Sequence, residues 1–152
     1  LKTFLTIAWS VIPPVVYASA NEPAVLEQIE LVINGNINSA VLYDNAPARS
    51  LLAQLPLSVQ LNDSDNDFCG GDLQVTYTDE DVVFGYRNGD LDYWIPGHNF
   101  VIFVHGQEHS ADVGNLVRLG RLDIDEAKLQ QLHGNLNVTI RIQRENRLIR
   151  NR

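Results

Sequence analysis

Residues 89 to 103 read Gly-Asp-Leu-Asp-Tyr-Trp-Ile-Pro-Gly-His-Asn-Phe-Val-Ile-Phe, and this stretch decides the fold. It predicts two short strands, Leu91 to Trp94 and Phe100 to His105, joined at a Pro96-Gly97 turn. Proline presets one turn torsion and glycine tolerates the positive one. Tyr93, Trp94, Phe100 and Phe103 place four aromatics within eleven residues. Neighbouring strand residues point to opposite faces, so of Tyr93 and Trp94 one belongs to a core and the other to a more exposed rim.

The same two-residue period continues outward in both directions. Ile29, Leu31 and Ile33 alternate with Glu30 and Asn34, and Asn34-Gly35 is a tight-hairpin signal that leads into Ile37 to Leu42. Asn45-Ala46-Pro47 pairs a capping side chain with a first-turn proline and opens one short helix through Leu55. Strands are predicted at Leu57 to Leu61, Leu73 to Tyr77, Val82 to Tyr86 and Leu116 to Leu122. A second helix is expected from Asp123, capped by its carboxylate with Glu126 reaching back, to Gly134; Leu136 to Ile142 forms the last strand. About eight short strands and two short helices cannot bury both apolar faces as a flat sheet. The expected architecture is mainly β, a closed barrel with the helices covering its ends.

Lys2, the apolar run Phe4 to Tyr17 and Ala18-Ser19-Ala20 have the three parts of a secretory signal, with the cut after Ala20. The run is too short for a spanning helix and Pro13-Pro14 interrupts it, so stable membrane insertion after cleavage is not expected. The chain contains no methionine, which suggests an alternative start codon or a missing first residue. The organisation read here is a signal peptide at 1–20, one domain at 21–143 and a basic tail at 144–152, in a periplasmic or secreted protein. The formal charge of −8 disfavours nucleic acid and anionic membrane as partners. Arg141, Arg144, Arg147, Arg150 and Arg152 gather five of the eleven basic residues at the end of the chain, where a solvated terminus is the simplest reading. Cys69 is the sole cysteine, so no disulfide forms within the chain, and a small buried residue is expected there.

Asn45-Ala46-Pro47-Ala48-Arg49 with Leu55-Pro56-Leu57-Ser58-Val59, then Gly89 to Gly97, then Phe100-Val101-Ile102-Phe103, then Leu119-Gly120-Arg121-Leu122-Asp123 are landmarks whose order and spacing resemble the small bacterial and archaeal cyclophilin-like family over Ile29 to Asp123. The resemblance implies an eight-stranded cyclophilin-type barrel, in a family with no settled activity. This chain departs from it between Leu61 and Leu73. There, many members carry an aromatic-Gly-Glu-Lys type stretch and this chain has Asn62 to Gly71 instead. The segment beyond Asp123 is not matched to the family's usual end.

Three chemistries follow for consideration. True cyclophilins are peptidyl-prolyl isomerases that use an arginine beside an aromatic-lined proline pocket. Arg49, Arg118 and Arg121 are the conceivable donors here, but none sits in an aromatic-His-Arg context, so isomerase is the alternative reading. Asp63-Ser64-Asp65-Asn66-Asp67 opens like a calcium loop, yet Phe68 and Gln74 occupy the positions that need glycine and a bidentate glutamate. His98, His105, Glu108 and His109 lie close in sequence, and His105 at a strand end and His109 on a loop could meet around zinc or copper, but without a helix the spacing fixes no geometry. No metal or other cofactor is therefore expected. The preferred reading is a module that binds a small molecule or peptide at Tyr93, Trp94, His98 and Phe100, with no catalytic residue assigned.

Overall fold

The computed structural model describes residues 2–11 and 22–144; the proposed cut after Ala20 and most of the basic tail lie outside them. Nine strands and two α-helices follow in order: β1 (Val25–Ile33), β2 (Asn36–Tyr43), α1 (Ala46–Leu52), β3 (Leu57–Asp63), β4 (Asp67–Gly70), β5 (Val82–Val83), β6 (Asp90–Trp94), β7 (Asn99–Phe103), β8 (Leu116–Asp123), α2 (Glu126–Leu129) and β9 (Leu136–Ile142). The strands hydrogen-bond in the order β2-β1-β9-β3-β4-β7-β6-β8, and β8 pairs back onto β2. This is a closed antiparallel eight-stranded barrel, with β5 as a short ninth strand outside the ring on β8.

Alternation explains the interior. Ile29, Leu31 and Ile33 of β1, Leu91 and Tyr93 of β6, Phe100 and Ile102 of β7, and Leu136, Val138 and Ile140 of β9 all project into one core. The β1–β2 hairpin turns on Asn34 and Gly35, at φ 48° and 87°, the torsions that this dipeptide supplies. Asn45 caps α1 by accepting the Ala48 N–H at 2.8 Å, and its amide donates to the Arg118 carbonyl at 3.1 Å, tying the helix start to β8. Ala48 and Leu51 of α1 and Leu129 of α2 press into the barrel core.

Closure is set at the β2–β8 seam, where Leu42 faces Gly120. A Cβ at Gly120 would lie 1.9 Å from the Val41 carbonyl oxygen of β2, so glycine is required for the two backbones to approach. A bulge between Leu91 and Asp92 lets Gly120 and Arg118 face consecutive β6 residues. It shifts the phase of β8, so that Arg118 and Arg121, three residues apart, stand on the same outer face as Asp90 and Asp92, two apart.

Three expected elements differ, one of them the strand expected at Val82 to Tyr86, which is only the two-residue β5. Leu73 to Tyr77 is not a strand: Leu73 and Val75 are buried in alternation, but the backbone is held by side chains of the first helical region instead of a ladder. Gln54 Nε2 donates to the Gln74 carbonyl at 2.6 Å and the Thr76 N–H donates to Ser50 Oγ at 3.0 Å. Instead β3 pairs with β9 on one side and on the other with β4, which begins at Asp67, the last residue of the run that opens like a calcium loop. The second helix does not start at Asp123, because that residue ends β8 in register with Ser39; α2 is four residues long with Asp125 at its N-terminal boundary and no side-chain cap.

Gly120→Ala is expected to destabilise the barrel by about 1–3 kcal/mol or more, as overpacking against a fixed backbone does. Thermal melts check this, and slower amide exchange protection should be lost first along β2 and β8.

Candidate functional site

The outward faces of β4, β7, β6 and β8 carry a second apolar surface. Val101, Phe103 and Leu116 point away from the barrel interior and form a separate cluster with Tyr86, packed against Cys69 and Val83. The Tyr86 ring stacks on Phe103 with centroids 3.7 Å apart, and its hydroxyl donates to the His105 carbonyl at 2.8 Å. A concavity of about 300 Å³ opens beside this cluster, with Val101, Phe103 and Leu116 in its wall and Trp94 and Val113 on its rim. Its polar lining is Ser64, Asp67 and Cys69. Trp94 is 37% exposed, and its ring lies over Gly97, where a Cβ would come within 2.8 Å of it.

Asp67 is the one charged residue in this lining. It is half-buried at the start of β4, in register with Phe103. Among the described residues no hydrogen bond or ion pair reaches its carboxylate; the groups that act on it are its apolar surroundings and Asp63. Burial first, and the like charge of Asp63 second, push its carboxyl up to about 6. Cys69, two residues on, donates weakly to Asn99 Oδ1 at 3.6 Å. Burial and then Asp67 raise its thiol, the opposite of what an activated nucleophile needs. Asn99 also donates to the Gly71 carbonyl at 2.9 Å, holding the turn after β6 against the end of β4.

Beside the groove, the same outer face carries a paired ionic network. Arg118 grips Asp92 with two bonds, 2.7 and 3.0 Å, and reaches the Gly85 carbonyl at 2.7 Å. Asp90 accepts from Arg121 at 3.2 Å and from the Arg87 N–H at 2.7 Å. Both carboxylates are fully buried, and burial raises Asp92 against the pull of Arg118. Arg49 is paired with Asp44, so each arginine considered as an isomerase donor is engaged by a carboxylate.

The four residues predicted as a site are divided by the barrel wall. Tyr93 and Phe100 face the interior core, Trp94 faces the outer groove, and His98 sits exposed at the turn with φ 55° and its ring edge-on to Tyr93 at 6.3 Å. From the sequence, Phe103 is named only among the four aromatics, Asp67 only in the run that opens like a calcium loop, and Val101 and Leu116 only as strand residues, and none of them is assigned to the site. The signal was present in Phe100 to Phe103, an unbroken apolar run whose period marks a strand covered on both faces. A second, polar concavity of about 440 Å³ brings together Asn66, Asn88, His105, Glu108 and His109. No group of three or more His, Cys, Asp or Glu able to hold a metal ion occurs among the described residues.

The family model described as "Cyclophilin-like family" matches residues 31–141. The chain belongs to the cyclophilin-like family. The match runs past Asp123 and takes in α2 and most of β9, so the end of the chain that the resemblance left unmatched is part of the family fold. The solution structure of a hypothetical protein from Archaeoglobus fulgidus is similar, with a TM-score of 0.60 and 16% identity over 81% of this chain and 99% of that one. At that identity the likeness is one of fold. No curated protein matches the sequence.

The groove carboxylate of this cyclophilin-like barrel makes a signed prediction. A carboxyl whose folded value lies above its ordinary 3.8 costs stability once ionised, so that cost is absent below about pH 4 and complete above about pH 6. Asp67→Asn should therefore melt above the native chain at pH 7, with the gap closing as the pH falls to 4. Asp92 titrates in both chains and cancels. Carbon-detected NMR of the Asp67 carboxyl should show a midpoint near 6.

Proposed function

We propose that the protein is an exported binding module that takes a small molecule or peptide side chain in the outer groove beside Trp94. The observation that carries this reading is a concave, mostly apolar surface with one charged group, unpaired among the described residues, on the outside of a barrel whose inward side chains form one core. Such a surface gains from losing water to a ligand, and the lone carboxylate supplies orientation. Isomerase activity is the weaker reading, since Arg49, Arg118 and Arg121 are held by carboxylates rather than presented to an open aromatic pocket.

The fluorescence of a Trp9→Phe chain reports Trp94 alone. Titrating it with a panel of proline peptides and small apolar ligands should give a saturable emission change, weakened at least tenfold by Val113→Glu on the rim. An unchanged emission across the panel would remove the groove as the site. Turnover of the same peptides in a protease-coupled assay, lost in Arg118 and Arg121 variants, would favour the isomerase instead.

Export is supported by the composition of residues 1–20 and by the exposure of Phe4, Leu5, Ile7 and Trp9, which find no place in the core. No helix among the described residues is long and apolar enough to cross a membrane. Expression in a bacterial host is expected to yield an extracytoplasmic protein whose N-terminal sequence starts at Asn21. Recovery of the full-length chain in the cytosol alone would overturn this.

A further inference from the structure

Two carboxylates on the outer face of the barrel, Asp90 and Asp92, are fully buried and a third, Asp67, is half-buried, and the molecule treats them differently. Asp90 and Asp92 each receive an arginine, and their charges are balanced within the fold. Asp67 receives none among the described residues, and the nearest acting charge, Asp63, has the same sign. A half-buried carboxylate against Phe103, Val101 and Leu116 is poorly solvated and unpaired, an arrangement that a fold tolerates but does not need. Arg118, the arginine of the neighbouring ionic network, is engaged by Asp92.

We propose that the groove is built for an apolar primary amine, whose ammonium group pairs with the Asp67 carboxylate while its hydrocarbon part covers Val101, Phe103 and Leu116. This deepens the binding-module reading and rests on it. An ammonium removes the unpaired charge and its like-charge conflict with Asp63 at once, whereas a neutral ligand would bury the carboxylate further without pairing it. An anionic ligand meets repulsion from Asp67, from Asp63 and from a chain of net charge −8. Ser64 Oγ and the Trp94 ring, which line the same space, add an acceptor and an electron-rich face suited to a cation. The volume of about 300 Å³ lies at the small end of ligand pockets and favours a single aryl-alkyl group over a long peptide.

The test compares 2-phenylethylamine, 2-phenylethanol and phenylacetate at pH 7.5, followed by the NMR shifts of groove residues in the full chain and in Asp67→Asn. The amine is expected to bind at least tenfold more tightly than the alcohol, and phenylacetate more weakly than either. Asp67→Asn should cancel the amine's advantage and keep the alcohol's affinity, with resonances of the barrel interior unchanged to show that the fold is intact. Equal affinity for amine and alcohol in the native chain would overturn the amine assignment and leave groove binding standing. Tighter binding of phenylacetate would do the same. Absence of shifts with all three probes would overturn both readings. Sedimentation as a dimer that the amine fails to dissociate, with the groove protected, would assign the surface to a second copy and overturn the proposal.

Discussion

Backbone contact between β2 and β8 is the constraint on which the other features depend. Opening this pair would return the ring to a sheet with two free edges; closed, it leaves no ring strand without a partner on either side. The contact is close enough that a single methyl group on Gly120 would collide with the Val41 carbonyl. Once the seam closes, the inward side chains of all eight strands share one core.

With the inward side chains gathered in one core, the apolar groove lies on the outer face. The outer face of β4, β7, β6 and β8 is half apolar and half ionic, and the bulge opposite Leu91 determines the division. It brings Arg118 and Arg121 into line with Asp92 and Asp90, so the ionic half is internally neutralised. The apolar half, anchored by Phe103 and its stacked Tyr86, contains a carboxylate with no such partner. Burial raises Asp67 and Asp92 alike, but only Asp92 has an arginine pulling against that rise.

The family landmarks were legible as spacing, and the structure gives them physical causes. Asn45 caps α1 and holds β8; Asp90 and Asp92 in one landmark meet Arg121 and Arg118 near the other; Gly120 closes the seam. The elements that were misread failed for local reasons. Alternate burial at Leu73 and Val75 imitates a strand, although Ser50 and Gln54 satisfy backbone groups that a ladder would otherwise take. Asp123 and Glu126 imitate a capping box, although β8 needs Asp123 for pairing with Ser39. At the site, Trp94 stood out because aromatics are conspicuous, while Asp67 was hidden in an acidic run whose other members, Asp63 and Asp65, are exposed.

The sequence by itself determined the mainly β character, the hairpins, the inward face of each long strand and the family to which the landmarks belong, because these depend on a two-residue period and on torsions that Asn, Gly and Pro impose locally. Only the tertiary structure decided which outward residues share a surface. Asp67, Trp94, Val101 and Leu116 lie on four strands separated in the chain, and their meeting depends on strand order and register. Those in turn come from closure and a one-residue bulge, neither of which leaves a periodic mark on the chain.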